Sequence, residues 1–304
     1  MATPRRLAAQ ALALADRNIG VMMVLPAFVV LIGLVAYPLA FNAYIAFHRV
    51  GLLNIRGAVW PYVGLLNFER IIEDPFNHAA LLRTALFASA SVALQLALGL
   101  AGALAFNVRF RGKALFLVLC LVPMMVTPVV VGIAWRMLLN YDWGIVNYLI
   151  GTVGVGRLPW LADNTLSMVA IIVVQVWWGV SFVMLILLGG LTALPREPFE
   201  AAAIDGASDL QVFRYVTLPL LAPVLLVVGT IRTIDALREF DLIYTLTGGG
   251  PGGSTRVFAL ELYYTAYERG DFGMSAAQAI LLTMLIMVFT VRLVRRLAGP
   301  RRHA

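Results

Sequence analysis

"EAAAIDGASDLQVFRYVTLP" occupies residues 200–219 and separates two of the most apolar stretches in a chain of 304 residues. Its first part is typical of a short helix, because Glu200 places negative charge in a first turn and the alanines after it are strong helix formers. Gly206 can end that helix, since glycine readily adopts a left-handed backbone. Ser208 and Gln211 have the spacing of a capping box. The stretch therefore predicts a short helix, a bend and a second short helix.

The composition indicates an integral membrane protein. Only 13% of the residues are charged and the mean hydropathy is +0.89, too apolar for a soluble domain. Windows without Asp, Glu, Lys or Arg approach or exceed the roughly 20 residues that cross a bilayer as a helix. There are six of them: Asn18–His48, Thr84–Val108, Ala114–Trp135, Asn164–Pro195, Tyr215–Ile231 and Phe272–Val291. We therefore predict an all-α membrane protein with six transmembrane helices.

This count gives a simple domain organisation. The first apolar window is about twice as long as the apolar region of a signal peptide, so we expect a retained anchor. Residues 1–17 form an N-terminal tail, 18–297 the transmembrane domain and 298–304 a C-terminal tail. Within the domain, residues 196–219 form a loop between the fourth and fifth spans.

The basic residues predict the orientation. Both termini and the loops 109–113 and 192–217 lie on one side of a six-span protein, and this side carries 13 of the 23 lysines and arginines. They are Arg5, Arg6, Arg17, Arg109, Arg111, Lys113, Arg196, Arg214, Arg292, Arg295, Arg296, Arg301 and Arg302. Five of the 16 acidic residues share that side, so the two sides carry net charges of +8 and −1. Because cations favour the cytoplasmic side, we place both termini there.

The opening stretch also fits a longer pattern. Glu-Ala-Ala at 200–202 is followed by Gly206, Val216, Leu218 and Pro219. This pattern resembles the EAA loop in the membrane subunits of binding-protein-dependent ABC importers. "YVGLLNFERI" at 62–71 and "REFDLIYTLTGGGPGGST" at 238–255 are similar to segments of the carbohydrate permeases in that family. The three motifs occur in the family's order among six correctly spaced spans.

The resemblance implies a type I ABC importer permease fold, in which the EAA loop is a cytoplasmic coupling helix held in a cleft of an ATPase. The residues that would couple to the ATPase are Glu200, Ala201, Ala202, Gly206, Leu210, Phe213 and Pro219. The implied partners are a second, homologous permease, two ABC ATPase subunits, an external sugar-binding protein and the membrane lipid of a bacterial inner membrane. The implied cargo is a di- or oligosaccharide such as trehalose or maltose, with glycerol-phosphate or another polyol as the alternative. ATP and Mg would be used by the ATPase subunits, with no cofactor on this chain.

No enzymatic motif competes with this interpretation. The P-loop pattern G-x-x-x-x-G-K-[ST] does not occur, so the sequence predicts no ATPase activity in the chain itself. Gly248, Gly250 and Gly253 satisfy G-x-G-x-x-G, but they follow a membrane helix rather than a strand, and we expect a tight external turn. The three histidines are scattered and predict no metal site. Two other classes remain open on local physics: a secondary transporter, and a membrane scaffold whose 200–219 segment is merely interfacial.

Polar residues inside the spans are the candidate substrate contacts, because such residues are costly in a membrane. The candidates are Gln175, Trp177 and Trp178 in the fourth span and Arg232, Asp235 and Glu239 around the end of the fifth. The first and second spans add Asn42, Tyr44 and Gln95. Tryptophan faces with amide and charged groups suit sugar C–H groups and hydroxyls. The alternatives are a structural ion network for the fifth-span charges, in which Asp235 lies three residues from both Arg232 and Arg238, and simple packing for the tryptophans.

Overall fold

The computed structural model describes residues 19, 23–57 and 59–298, with side chains described up to residue 295. The predicted tail 1–17 and residues 299–304 lie outside this part of the chain. The helices, numbered in chain order, are α1 (Met23–Ala46), α2 (Leu66–Glu73), α3 (Pro75–Asn107), α4 (Lys113–Met125), α5 (Pro128–Leu138), α6 (Ile145–Thr152), α7 (Asn164–Thr192), α8 (Glu197–Ile204), α9 (Asp209–Leu237), α10 (Asp241–Thr247), α11 (Phe258–Tyr267) and α12 (Phe272–Ala298). The described residues contain no β-strand and only two isolated β-bridges.

The predicted spans agree with the helices at five of the six windows. α1, α3, α7, α9 and α12 are each long and apolar enough to cross a membrane. The third window is different, because α4 and α5 form a broken span with a bend of 98°. Thr127 is extended at the break, as a residue before a proline prefers to be, and Pro128 starts α5. Six spans result when this bent pair is counted as one.

The centre of the protein is the contact between α3 and α7. A Cβ added to Gly99 would lie 2.5 Å from Val183 Cγ1, and one added to Gly102 would lie 2.9 Å from Met184 Sδ. The two helices therefore approach each other where α3 has no side chain, as small residues allow in membrane helices. α9 packs on both helices, and Leu221 and Val228 complete an apolar cluster with residues of α3 and α7.

The remaining helices cover one side of this centre. α1 has no buried residue in its apolar window and contacts α12, where Asn42 donates to the carbonyl of Ala276 at 3.4 Å. α2, α11 and the start of α12 pack with the end of α1 in a separate cluster that includes Ile71, Phe258 and Met274. The first and last spans thus pack together with the segments that contain α2 and α11, and the last span also contacts α9.

The close α3–α7 contact predicts that a larger side chain destabilises the protein at Gly99, inside the contact, but not at Gly189, outside it. Gly99→Val inserts methyl groups where Val183 already lies, so we expect a loss of about 1–3 kcal/mol of stability, as for overpacked cores. Gly189→Val on α7 is the matched control, because a Cβ there meets nothing within 4 Å. Thermal unfolding midpoints of the two variants in detergent measure the difference. Equal midpoints would contradict the close approach of α3 and α7.

Candidate functional site

The loop between α7 and α9 forms the first helix and the bend that its sequence predicts. α8 carries Pro198 in its first turn, where a backbone N–H would have no hydrogen-bond partner within the helix, so its absence costs nothing. Gly206 follows with a left-handed φ of +70°. Its N–H bonds to the carbonyl of Ala203 at 3.3 Å, and the N–H of Ala207 bonds to that of Ala202 at 3.0 Å. These two bonds make a Schellman ending, whose left-handed position favours glycine.

The second part of the loop differs from the expectation of a separate short helix. The capping box is confirmed, since Gln211 Oε1 accepts from the backbone N–H of Ser208 at 2.7 Å. The helix that starts there, however, continues into the membrane as α9 through a π-helical turn at residues 213–217. A wider turn suits this place because Pro219 has no N–H for the carbonyl of Tyr215. The loop therefore has one bend, at Gly206, and α9 is one continuous helix from Asp209 to Leu237.

Most of the predicted coupling residues are accessible in the isolated chain. Glu200, Ala201, Gly206, Leu210 and Pro219 are exposed, whereas Ala202 and Phe213 are half-buried. Sequence reasoning missed Ile204, which ends α8 and is 87% exposed, next to Leu210 at 73%. The sequence does indicate that Ile204 is exposed, because an isoleucine beside a predicted bend in a polar loop has no apolar core to pack into. A groove of about 440 Å³ lies under α8, lined by the ends of α3 and α7.

A second feature is a buried polar cluster, which we define as Gln95, Gln175, Arg232, Asp235 and Glu239. Arg232 Nε donates to Gln95 Oε1 at 2.8 Å, and Gln95 Nε2 donates to the backbone carbonyl of Gln175 at 2.9 Å. Arg232 Nη1 lies 3.2 Å from Asp235 Oδ2. Gln175 Nε2 donates to Glu239 Oε2 at 3.4 Å. Because these residues come from α3, α7 and the outer end of α9, the cluster joins three helices.

The surroundings of Arg232 are built to accept a guanidinium group. A Cβ on Gly179 would lie 2.5 Å from Arg232 Nη2, so the glycine on α7 provides the space. The ring of Trp178 lies 5.2 Å from Arg232 Cζ, within the range of a cation–π interaction. Among the described residues, Gln175 Oε1 and Arg232 Nη2 are buried without a hydrogen-bond partner. A donor and an acceptor are therefore left unused inside the cluster.

The cluster brings together most of the predicted substrate residues, but it shields them. Gln175 and Arg232 are 0% and 3% exposed, and Glu239 is 9% exposed. Asp235 reaches the surface with 26% of its side chain, where Arg238 pairs with it at 2.7 Å. The predicted i,i+3 ion pairs along α9 are thus confirmed. Their contact with a substrate stays a prediction.

The tryptophans occupy two different environments. Trp178 is half-buried and its Nε1 donates to the carbonyl of Val126 at 2.8 Å, at the break between α4 and α5. Trp177 is 40% exposed and meets Trp135 edge-on at 5.5 Å rather than joining the cluster. Trp177 and Trp178 point in different directions from α7, so only Trp178 contacts Arg232.

The layer formed by α2, α11 and the start of α12 holds an ion network that sequence reasoning missed. Glu261 is 1% exposed and pairs with Arg269 at 2.6 Å and Arg256 at 3.6 Å. Arg70 reaches Asp271 at 2.8 Å. No local pattern links Arg70 to Asp271, because the two lie far apart in sequence and meet only when α2 packs against the start of α12.

The glycine-rich segment after α10 is an ordered turn, as expected. Thr247 and Thr255 share a hydrogen bond of 2.7 Å between their hydroxyl groups, and Thr255 donates to the carbonyl of Gly250 at 2.9 Å. The hydroxyl of Tyr264 donates to the carbonyl of Gly248 at 2.7 Å. Side chains on both sides thus fix the turn's backbone.

The burial of Arg232 predicts the effect of removing its partner. Gln95→Leu removes the acceptor of Arg232 Nε, so we expect a loss of about 1–3 kcal/mol from an unsatisfied buried charge. Adding Arg232→Met should recover part of this loss, since both polar partners are then gone. Arg238→Met, at an exposed ion pair, is the control and should change little. Unfolding midpoints of the native protein, Gln95→Leu, Arg232→Met and the double variant measure the coupling, and additive effects would contradict it.

Comparisons with known proteins identify the family of the chain. A family model described as "Binding-protein-dependent transport system inner membrane component" matches residues 95–303. The chain is 37% identical to the trehalose/maltose transport system permease protein MalF of Thermococcus litoralis over 277 residues, 91% of this chain and 92% of the relative. It is 31% identical to the sulfoquinovosyl glycerol transport system permease protein SmoG of Agrobacterium fabrum, over 91% and 89% of the two chains.

The fold has a close counterpart among solved structures. The crystal structure of a bacterial ABC transporter involved in the import of the acidic polysaccharide alginate contains a chain that superposes with a TM-score of 0.81. The two chains are 18% identical, and the match covers 96% of this chain and all of that one. The architecture is therefore that of an ABC importer permease. The family model and the relatives together show that the chain belongs to the binding-protein-dependent transport system inner membrane components.

Proposed function

We propose that this chain is one of two permease subunits in an ATP-driven, binding-protein-dependent importer of a sugar. The observation that carries the proposal is the α8–Gly206–α9 loop, which presents an exposed short helix and connects it through a single bend to a membrane span. The names of the relatives support a sugar or sugar-glycerol cargo. A di- or oligosaccharide such as trehalose or maltose is the substrate class we favour.

The proposed coupling is mechanical. ATP-driven closure of two ATPase subunits on the cytoplasmic side moves α8, and α9 transmits the movement to the pore. Glu200 supplies a polar contact near the start of α8, and the exposed side chains of Ile204 and Leu210 supply apolar ones. The ATPase subunits use the ATP and Mg, and this chain contributes no catalytic group.

The proposed path for the sugar runs beside the buried polar cluster. In alternating access, the movement of α9 relative to α3 and α7 opens the contacts of Arg232 and Gln175 to the pore. Their unused donor and acceptor would then be free for sugar hydroxyls. Glu239, Asp235 and the indole ring of Trp178 extend this surface with carboxylates and an aromatic face, whereas Trp177 lies against Trp135.

The proposed complex lies in a bacterial inner membrane with both termini of this chain in the cytoplasm. A second homologous permease completes the path as a heterodimer, and a sugar-loaded binding protein docks on the external segments 49–83, 139–165 and 241–271. Residues 18–297 serve as the permease domain, and the loop 196–219 as the coupling segment. These assignments follow the orientation of the basic residues and the family.

Affinity purification tests the coupling partner. The tagged chain, expressed in its native cell, should retain an ATPase and a second permease, identified by mass spectrometry. Glu200→Lys reverses the charge at the start of α8, so we expect loss of the ATPase alone. Glu268→Lys is the matched control, because this exposed glutamate follows α11 on the opposite side. A native chain that brings down no ATPase would refute the importer.

Transport by the reconstituted complex tests the lever. Proline fixes φ near −65°, which Gly206 at +70° cannot accommodate, so Gly206→Pro should redirect α8 while the spans stay inserted. We expect uptake of labelled maltose or trehalose to fall at least tenfold while ATP hydrolysis continues. Gly112→Pro imposes the same change at φ +81° in the loop between α3 and α4, outside the segments assigned to the ATPase and the binding protein, and should leave transport unchanged. Equal uptake by both variants would exclude the bend as a coupling element.

A further inference from the structure

Four aromatic rings form a surface that the sequence did not reveal, and we name the set Phe240, Tyr244, Tyr263 and Tyr267 the aromatic platform. Phe240 and Tyr244 lie one helical turn apart at the start of α10, and their rings stack at 5.2 Å and 13°. Tyr263 and Tyr267 lie one turn apart on α11, with ring centroids 4.8 Å apart. Tyr263 also contacts Phe240 at 5.2 Å and Tyr244 at 5.3 Å, so the two pairs face each other.

The aromatic platform is open to the surroundings and carries charge beside it. Tyr244 is 40% exposed and Tyr267 is 72% exposed. Asp241 and Glu268, which adjoin the platform in sequence on α10 and α11, are exposed as well. A surface covered by lipid hydrocarbon would not keep two exposed carboxylates, because ionised groups are costly there. Water or a polar molecule therefore covers these rings.

The support of the aromatic platform is rigid. The bond from the Tyr264 hydroxyl to Gly248 ties α11 to the turn after α10, and the Thr247–Thr255 hydroxyl pair closes that turn. Arg256 packs its guanidinium over the ring of Tyr264 at 4.1 Å. Rings held in place before binding lose little conformational freedom when a ligand arrives.

The aromatic platform begins where the buried polar cluster ends. Glu239, a member of that cluster, directly precedes Phe240 and accepts the N–H of Leu242 in α10 at 3.2 Å. The platform and the cluster are therefore neighbours along the end of α9 and the start of α10. Stacked rings flanked by carboxylates suit the C–H faces and hydroxyls of a sugar ring.

We propose that the aromatic platform is an outer sugar-binding surface, on which a ring of the imported oligosaccharide stacks before it reaches the buried polar cluster. This inference rests on the proposed function and adds a second contact region to the path. The substrate class is the same oligosaccharide, because the exposed rings are flanked by carboxylates that suit sugar hydroxyls.

Reconstituted complexes in proteoliposomes test the aromatic platform. The readout is the amount of labelled maltose or maltotriose imported per ATP hydrolysed, at saturating sugar-loaded binding protein. Tyr267→Leu removes the exposed ring, and we expect this ratio to fall about two- to tenfold, the range for one aromatic contact. The fall should be larger with maltotriose, which spans more of the rings. Tyr267→Phe keeps the ring and should restore the ratio.

Tyr37→Leu is the matched control, because Tyr37 is 68% exposed and stacks on Phe41, but lies on α1. It should leave the ratio unchanged. An unchanged ratio in Tyr267→Leu, with normal import by the native complex, would overturn the platform and leave the proposed function intact. Loss of the second permease from purified Tyr267→Leu would overturn it too, since the rings would then form a subunit interface. A native complex that imports no labelled sugar would refute both proposals.

Discussion

A guanidinium group inside a membrane needs polar neighbours, and the packing of the three central helices meets this need for Arg232. Placing arginine at the middle of a membrane helix costs roughly 2.5–3.5 kcal/mol on insertion scales. Hydrogen bonds to a charged group contribute about 1.5–3 kcal/mol each, so the bonds to Gln95 and Asp235 can offset that cost. They do so only if α3 and α9 hold their register, and Gly179 on α7 must leave room. One buried cation thus fixes how three spans fit together.

The same helices link the two faces of the protein. α9 begins at the capping box of Ser208, passes the π turn at residues 213–217 and reaches the buried polar cluster near its outer end. A displacement of the first turn of α9 is therefore transmitted to Arg232 and its partners, because no break in α9 absorbs it. This continuity is the basis of the coupling proposed for the loop.

The external face is organised by contacts of a different kind. Glu261, Arg269 and Arg70 join α2, α11 and the start of α12 through ion pairs, two of them to a carboxylate that is 1% exposed. Backbone bonds from Leu52 to Gly270 and from Gly273 to Val50 reinforce this connection. The aromatic platform stands on the same α10–α11 unit. The aromatic platform is therefore carried by a stiff layer of helices, next to a polar cluster whose groups are buried in this conformation.

The sequence by itself determined the membrane character of the protein, its spans and the bend between α8 and α9, and the family followed from three motifs that resemble it. The spans and the bend depend on local properties: runs of apolar residues, a glycine that accepts a left-handed backbone, and a capping box whose partners are three residues apart. It also placed the ion pairs of Asp235, because i,i+3 neighbours on a helix meet whatever surrounds them. The continuation of the second loop helix into α9 was missed, since a π turn has no spacing rule that the sequence would display.

Only the tertiary structure decided which of these residues share a site. Gln95 and Arg232 lie 137 positions apart and Gln175 and Glu239 lie 64 apart, so no local pattern could pair them. Trp177 and Trp178 are adjacent in sequence but have different partners, Trp135 and Arg232, because successive residues of a helix point in different directions. The aromatic platform and the Glu261 network likewise exist only where separate helices pack. Local spacing specifies helices and turns, whereas the contacts between helices depend on packing that a single sequence does not display.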